Sequence, residues 1–373
     1  MAKSRPILIK NGSVILKDRI LHNAMVLIKG RTIYSVGRKG GGKEALVIDA
    51  AGHYISPGFI DIHIHGDPLK ILENEIRHGT TSIVVAESCG PIGEFYNKAG
   101  QLQKFIEEDP LGPSVLGLRL EGPYINTVKS GAQDRRFIRR PNNKELLKII
   151  KRCSPALKMM TLAPEQKGAL PLIRTLIRSG IVASIGHSYA TYREAENGIA
   201  AGITHATHVF NAMRDMDSRE PGVVGAALSD NKVFAEIILD LVHVHAKLFS
   251  LLVQVKEIDK VVLVTDSVKA LTQKGVKYSR GAYRFPDGKL AGSSLTMIEA
   301  VKNAVACGLK LPEAVRFATL NPATLLGVQA RKGSIAIGKD ADLAIFDEKF
   351  NIKMTIVRGK IAYQRKGFSV CAE

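Results

Sequence analysis

From Phe59 to Asp266 the sequence alternates short apolar runs with longer amphipathic segments, and this alternation restricts the possible folds more than any other feature. Strand-like runs fall at Phe59–His63, Ser82–Glu87, Val115–Glu121, Lys158–Ala163, Val182–His187, Thr204–His208, Val233–Asp240 and Lys260–Asp266. Helix-like segments separate most of them, at Pro68–His78, Gly93–Glu108, Asn143–Cys153, Lys167–Ser179, Tyr192–Ala201 and Ala246–Ile258. Glycine stands just past several helical ends (His78-Gly79, Ser179-Gly180, Ala201-Gly202), where a left-handed residue closes the last turn. Eight β units with intervening helices predict an α/β chain with a (β/α)8 TIM-like barrel over residues 55–329. A doubly wound open sheet fits less well, since it usually carries fewer strands and a Gly-rich first turn.

The two chain ends read differently. Ile7–Lys10, Ser13–Leu16, Ala24–Ile28 and Thr32–Ser35 are short β runs split by Asn11-Gly12, Gly30 and a basic loop at Gly37–Lys43. Ala341–Phe346, Ile352–Val357 and Lys360–Gln364 repeat the pattern, with Arg358-Gly359 as a turn. Each end is too small for its own sheet core. Together they predict one small β-sandwich domain from residues 1–54 plus 330–373.

Composition narrows the setting. With 45% hydrophobic and 24% charged residues the chain is ordinary for a soluble protein, and no run of about 18 apolar residues suggests a membrane span. Met1–Pro6 leads straight into Ile7–Lys10 without an apolar signal region, and Cys89, Cys153, Cys307 and Cys371 form no paired motif. A cytoplasmic, thiol-reduced protein without thiolate zinc is expected. The net charge of +18 invites a nucleic-acid partner. Against that, aromatics are only 6%, tryptophan is absent, and basic residues spread from Lys3 to Lys366. An anionic small substrate, steered by the dense run Arg135-Arg136 and Arg139-Arg140, is the favoured use of part of the charge, and no membrane or nucleic-acid partner is expected.

Barrel enzymes place catalytic groups at the C-terminal ends of their strands. Here those ends carry His63-Ile64-His65, Glu121, His187, His208 and Asp266, although histidine is only 10 of 373 residues. Residues two apart on a strand point to one face, so His63 and His65 reach the barrel mouth together. Imidazole and carboxylate without thiolate suit Zn, Fe or Mn in a hydrolytic site. A second pair, His243-Val244-His245, falls in a loop or first helical turn; His205, three residues before His208, is expected to face away and serve structure. His22, His53 and His78 receive no role. Gly37–Lys43 nearly spells a phosphate-binding loop, but Glu44 replaces the hydroxyl residue and no buried strand precedes it, so it reads as a basic hairpin loop.

Longer motifs carry a family resemblance. Pro57–Gly66 (PGFIDIHIHG), Leu120–Ile125 (LEGPYI), Gly186–Ala190 (GHSYA), Thr207–Met213 (THVFNAM), Arg219–Gly225 (REPGVVG), Val264–Ser267 (VTDS), Ala291–Met297 (AGSSLTM) and Asn321–Gly327 (NPATLLG) are similar to the N-acetylglucosamine-6-phosphate deacetylases of the amidohydrolase superfamily. The resemblance implies that Glu121, His187 and His208 hold a principal divalent metal. His63 and His65, with Asp266, match a second position that some members use, so one or two ions per subunit are expected, Zn first, Fe or Mn as alternatives. Asp266 matches the catalytic aspartate, a general base and then acid in acetamide hydrolysis that yields glucosamine 6-phosphate and acetate. Asn211 and Ala212 (by its backbone), Arg219 and His243 match positions that grip the sugar phosphate; the Arg and His come from a neighbouring subunit, implying a homodimer. The chain departs from the pattern at Ser130-Gly131-Ala132-Gln133, where Gln133 stands in place of a histidine that orients the acetyl carbonyl. It also departs in a short passage after Gly66 and at Asp240-Leu241-Val242-His243, where the family usually has Asp-Gly before the histidine. The alternatives are a deacetylase for another N-acetyl sugar phosphate, a cyclic-amidase or deaminase type, and a basic barrel scaffold binding nucleic acid. A strand-four carboxylated lysine, common in cyclic amidases, has no counterpart at Leu162-Ala163-Pro164-Glu165.

Overall fold

The computed structural model describes residues 5–38, 44–271, 275–368 and 370–372. Most of the near phosphate-loop segment, residues 39–43, lies outside the described residues. The chain divides into two compact units, one of Met1–Asp61, Leu72–Ser82 and Thr296–Glu373, the other of Ile62–Ile71 and Ile83–Leu295.

Eight strands follow one another in chain order through one sheet: β1 Phe59–Gly66, β2 Thr80–Ser88, β3 Val115–Glu121, β4 Leu157–Leu162, β5 Val182–Ile185, β6 His205–Ala206, β7 Phe234–Ile238 and β8 Val261–Val264. From β2 to β8 each pairs in parallel with the next. Beyond β8 the chain returns to β1: the Asp266 N–H donates to His63 O at 2.8 Å, and Ser267 pairs in parallel with Ile64. The sheet thereby closes as the predicted barrel.

Each strand leads in the chain to a helix: α1 Pro68–Glu75, α2 Ile92–Glu108, α3 Asn143–Cys153, α4 Ala169–Arg178, α5 Tyr192–Ala201, α6 Gly222–Ser229, α7 Ala246–Val255 and α8 Met297–Ala306. Neighbouring helices from α2 to α7 pack side by side. The local signals are physical. In α5 the Thr191 hydroxyl accepts from Glu194 N–H while Glu194 reaches back to Thr191 N–H, a closed capping box. At α3 the Asn142 side chain accepts from Glu145 N–H, a one-way cap.

Several elements escaped the sequence reading, among them α6, α8 and an antiparallel excursion that precedes α8. Helix α6 buries Val223, Val224, Ala226 and Ala227 and is apolar around its circumference, so it lacks the polar stripe that marks an amphipathic helix. Between Ser267–Ala270 and α8 the chain makes an antiparallel excursion, Lys277–Ser279, Ala282–Arg284 and Leu290–Ser293. Three strands are also shorter than expected. β5, β6 and β8 stop two residues before His187, His208 and Asp266, which take positive φ values of 47°, 29° and 48°.

In the first unit the chain ends combine, through one branched sheet of nine strands. Strand Ile7–Ile15 pairs along one edge with Ile20–Lys29. Its other edge is divided: Leu46–Asp49 pairs with its first half, Tyr54–Pro57 with its second. Leu343–Phe346, Ile352–Val357 and Lys360–Gln364 continue outward from Tyr54–Pro57. Ile9, Val14, Ile28, Ile48, Ile55, Leu343, Ile345 and Met354 share one core across the two branches. The nine strands of this sheet lie within residues 7–57 and 343–372. By compactness, the helical stretch from Thr296 groups with the first unit.

Candidate active site

The site is built from the inward positions of the strands and the first residues beyond them. His63 and His65 sit on β1, two apart, with side chains 0% and 6% exposed. Glu121 ends β3; His187, His208 and Asp266 follow β5, β6 and β8. A positive φ is uncommon for residues with a β-carbon and costs on the order of 1–3 kcal/mol each. It recurs just past three strand ends, at the site residues His187, His208 and Asp266.

Six side chains form two groups, His63 with His65 and Asp266, and Glu121 with His187 and His208; within each, the potential ligand atoms lie within 4.8 Å of one another. Glu121 Oε1 is 2.9 Å from His187 Nε2 and 3.0 Å from His208 Nε2, and Glu121 Oε2 is 3.6 Å from His65 Nε2. Asp266 Oδ1 is 3.1 Å from His65 Nε2 and 3.4 Å from His63 Nε2. Asp266 is the most open of the six at 16%. Burial pushes the Glu121 carboxyl up, but the His63 charge and the hydrogen bonds of His187, His208 and His63 outweigh it and hold it well below the usual carboxylate range. Burial acts the same way on Asp266, and His63 and His65 likewise keep it lowered.

The donor set fits a divalent metal ion. The Nδ1 atoms of His187 and His208 donate to the backbone oxygens of Lys129 (2.9 Å) and Asn211 (3.1 Å), and His63 Nδ1 donates to Glu236 Oε1 at 2.8 Å. Each bond leaves Nε2 as the ring atom facing the centre, the arrangement in which ligating imidazoles are held. Among the described residues no cysteine belongs to either group, so the set is nitrogen and oxygen throughout.

Beneath the ligands lies a polar layer that sequence reasoning missed. Glu236 on β7 and Arg119 on β3 are both fully buried and form a salt bridge. Arg119 also donates to Thr207 Oγ1 at 2.9 Å, and His205 stands 3.3 Å from Glu236 and 2.7 Å from Ser184 Oγ. Burial would raise Glu236, but Arg119 and His63 hold it well below the usual range. Burial also strips the His205 proton, lowering that ring to about 3. The expectation that His205 faces away from the ligands gives way to an inward imidazole in this layer, because β6 is only two residues long and His208 lies off it. The available signal was a charge inside an otherwise apolar parallel strand, Arg119 two residues before Glu121 in VLGLRLE and Glu236 in FAEII.

A cavity of about 760 Å³ opens above the ligands, walled in part by Asn211, Ala212, Gln133, His243 and the Leu290–Gly292 strand. Asn211 Nδ2 is buried on this wall with no protein partner. Gln133 is engaged at both ends: its Oε1 accepts from Cys89 N–H and its Nε2 donates to Glu121 Oε2, each at 2.7 Å. It therefore holds the Glu121 carboxylate, where the resemblance implied a contact to the acetyl group. His243 is fixed by Asp240, which accepts from its Nδ1 at 2.6 Å and from its N–H at 2.7 Å, and it lines the cavity of its own chain. Arg219 is exposed, its backbone N–H held by Asp217, and does not line that cavity.

A (β/α)8 barrel with buried imidazoles and carboxylates converging at its mouth defines a metal-dependent hydrolase. The amidohydrolase family model matches residues 54–362, and the chain belongs to that family. It is 33% identical to the N-acetylglucosamine-6-phosphate deacetylase of Bacillus subtilis, over 98% of this chain and 99% of that one. It is 31% identical to the N-acetylgalactosamine-6-phosphate deacetylase of Escherichia coli O157:H7, over 85% and 89%. The crystal structure of N-acetylglucosamine-6-phosphate deacetylase from Pasteurella multocida superposes with a TM-score of 0.90 at 28% identity, covering 96% of this chain and 100% of that one. No helix among the described residues is long and apolar enough to cross a membrane.

Proposed function

We propose that the protein hydrolyses the acetamide of N-acetylglucosamine 6-phosphate, releasing acetate and glucosamine 6-phosphate. The observation that carries this reading is Asp266: a lowered carboxylate at the mouth of the ligand set, more open than Glu121 and facing the cavity. Glu121, His187 and His208 would hold a principal divalent ion, and His63, His65 and Asp266 a second, with Zn as the favoured ion and Fe or Mn as alternatives. When bound, the metal supplies Lewis acidity for activating water and polarising the acetyl carbonyl. Asp266 takes a proton from the attacking water and returns it to the nitrogen as the C–N bond breaks, so one carboxylate serves as base and then acid. Asn211, with its unpartnered Nδ2 on the wall, and the Ala212 backbone would meet the sugar, and His243 the phosphate. Gln133 would act by steadying Glu121.

Arg219 points to a homodimer: its guanidinium is a bidentate phosphate fork, yet it stands outside the cavity of its own chain, so a partner subunit would receive it. A cytoplasmic setting accords with a phosphorylated substrate. A second reading has a specific observation behind it: the galactosamine-series relative is almost as similar as the glucosamine-series one.

The test is Asp266→Asn. It should lower kcat by about 10²–10⁴-fold while the ion at Glu121, His187 and His208 stays bound. Near wild-type turnover with metal in place would remove Asp266 from the reaction.

A further inference from the structure

Glu236 touches both ligand groups at once. Its Oε1 accepts from His63 Nδ1 at 2.8 Å and from the His208 backbone N–H at 3.0 Å, while Arg119 pairs with both of its oxygens. These contacts act on different properties. The bond to His63 sets which ring nitrogen faces the centre, and the bond to His208 pins a residue held at φ 29°. Both side chains are fully buried, so water offers neither ligand a substitute partner.

We propose that Glu236, neutralised by Arg119, is a positioning residue that aligns His63 in one ligand group and His208 in the other, and so sets metal affinity at both. The inference rests on the proposed reading of these groups as metal ligands. Arg119 is the other half of the device. An unpaired Glu236 charge in the barrel interior would be costly, and the guanidinium also ties Glu236 to the Thr207 hydroxyl one residue before His208. A carboxylate that orients a ligating imidazole typically accounts for about 10–100-fold in metal affinity.

The experiment compares the metal-loaded wild type with Glu236→Leu, which removes the acceptor, and with the double variant Arg119→Met/Glu236→Leu. Zinc affinity is read by chelator competition, zinc content by elemental analysis, and folding by thermal unfolding. Glu236→Leu leaves Arg119 buried without its counter-charge and should melt lower than the double variant. Zinc affinity should fall by about 10–100-fold in both. A double variant that melts near wild type and binds zinc within about threefold of wild type would overturn the inference, as would recovery of affinity in the double variant alone. Should neither variant fold, ¹⁵N-histidine spectra of the loaded wild type still decide: His63 must carry its proton on Nδ1, and a bare Nδ1 overturns the inference. Wild-type protein that takes up no metal would overturn the ligand reading itself, and this inference with it; equal uptake by wild type and double variant overturns this inference alone.

Discussion

At the level of single residues, the site depends on side chains whose identity was plain in the sequence and whose environment was not. The ligand types at the strand ends were legible because histidine is scarce and its placement is ordered. Their support was hidden. Glu236 and Arg119 look like ordinary charges until the barrel turns them inward, and Gln133, on the cavity wall, also braces Glu121, a contact that its place in the sequence does not show. The buried layer has a pH consequence that can be isolated at His205. Its folded pKa of about 3 lies below the unfolded value of 6.5, so the unfolded chain binds the extra proton between those limits. Stability should therefore fall as pH drops from 6.5 toward 3, by up to about 1.4 kcal/mol per pH unit from this group. Urea unfolding of wild type and His205→Asn across that range should show the steeper loss in wild type; parallel curves would contradict it.

Elements set the geometry that these residues inherit. Apolar runs located the strands, and the one-sided apolar stripe located six of the first seven helices; the stripe is missing at α6, where every face is apolar, and the runs overshoot the ends of β5, β6 and β8. A positive φ on a histidine or aspartate leaves no sequence mark, so the corners that aim His187, His208 and Asp266 could not be read in advance. The strand Leu290–Ser293 braces the last of these corners. Ser293 N–H donates to Asp266 O at 2.9 Å, and Gly292, at φ 147°, would bring an added β-carbon within 2.9 Å of the same oxygen and 2.6 Å of Val268 Cγ1. Gly292→Ala should therefore lower stability by roughly 1–3 kcal/mol and reduce turnover through a displaced Asp266. Thermal unfolding and steady-state kinetics check both; an unchanged melting point with unchanged kcat would show that this strand does not fix the corner.

Over the whole molecule, the net charge of +18 has only a local connection to the chemistry. A phosphate needs few cations, and of the two proposed phosphate contacts only Arg219 enters that sum, in which histidine is counted neutral; nothing among the described residues explains the rest. The proposed homodimer predicts complementation. Arg219→Met and Asp266→Asn subunits, each nearly inactive at low substrate, should on mixing and re-equilibration recover about a quarter of wild-type activity, since half the dimers then hold one intact site. No recovery would place Arg219 in its own subunit or outside the site. Removing metal should abolish hydrolysis and lower the melting temperature, and adding zinc should restore both, because an ion that binds only the folded state stabilises it. Acetate release tests the central claim most directly, measured from N-acetylglucosamine and N-acetylgalactosamine with and without the 6-phosphate. The account predicts metal-dependent release, fastest from N-acetylglucosamine 6-phosphate and at least tenfold slower from either sugar without phosphate. Release from neither phosphorylated sugar by the metal-loaded protein would contradict it.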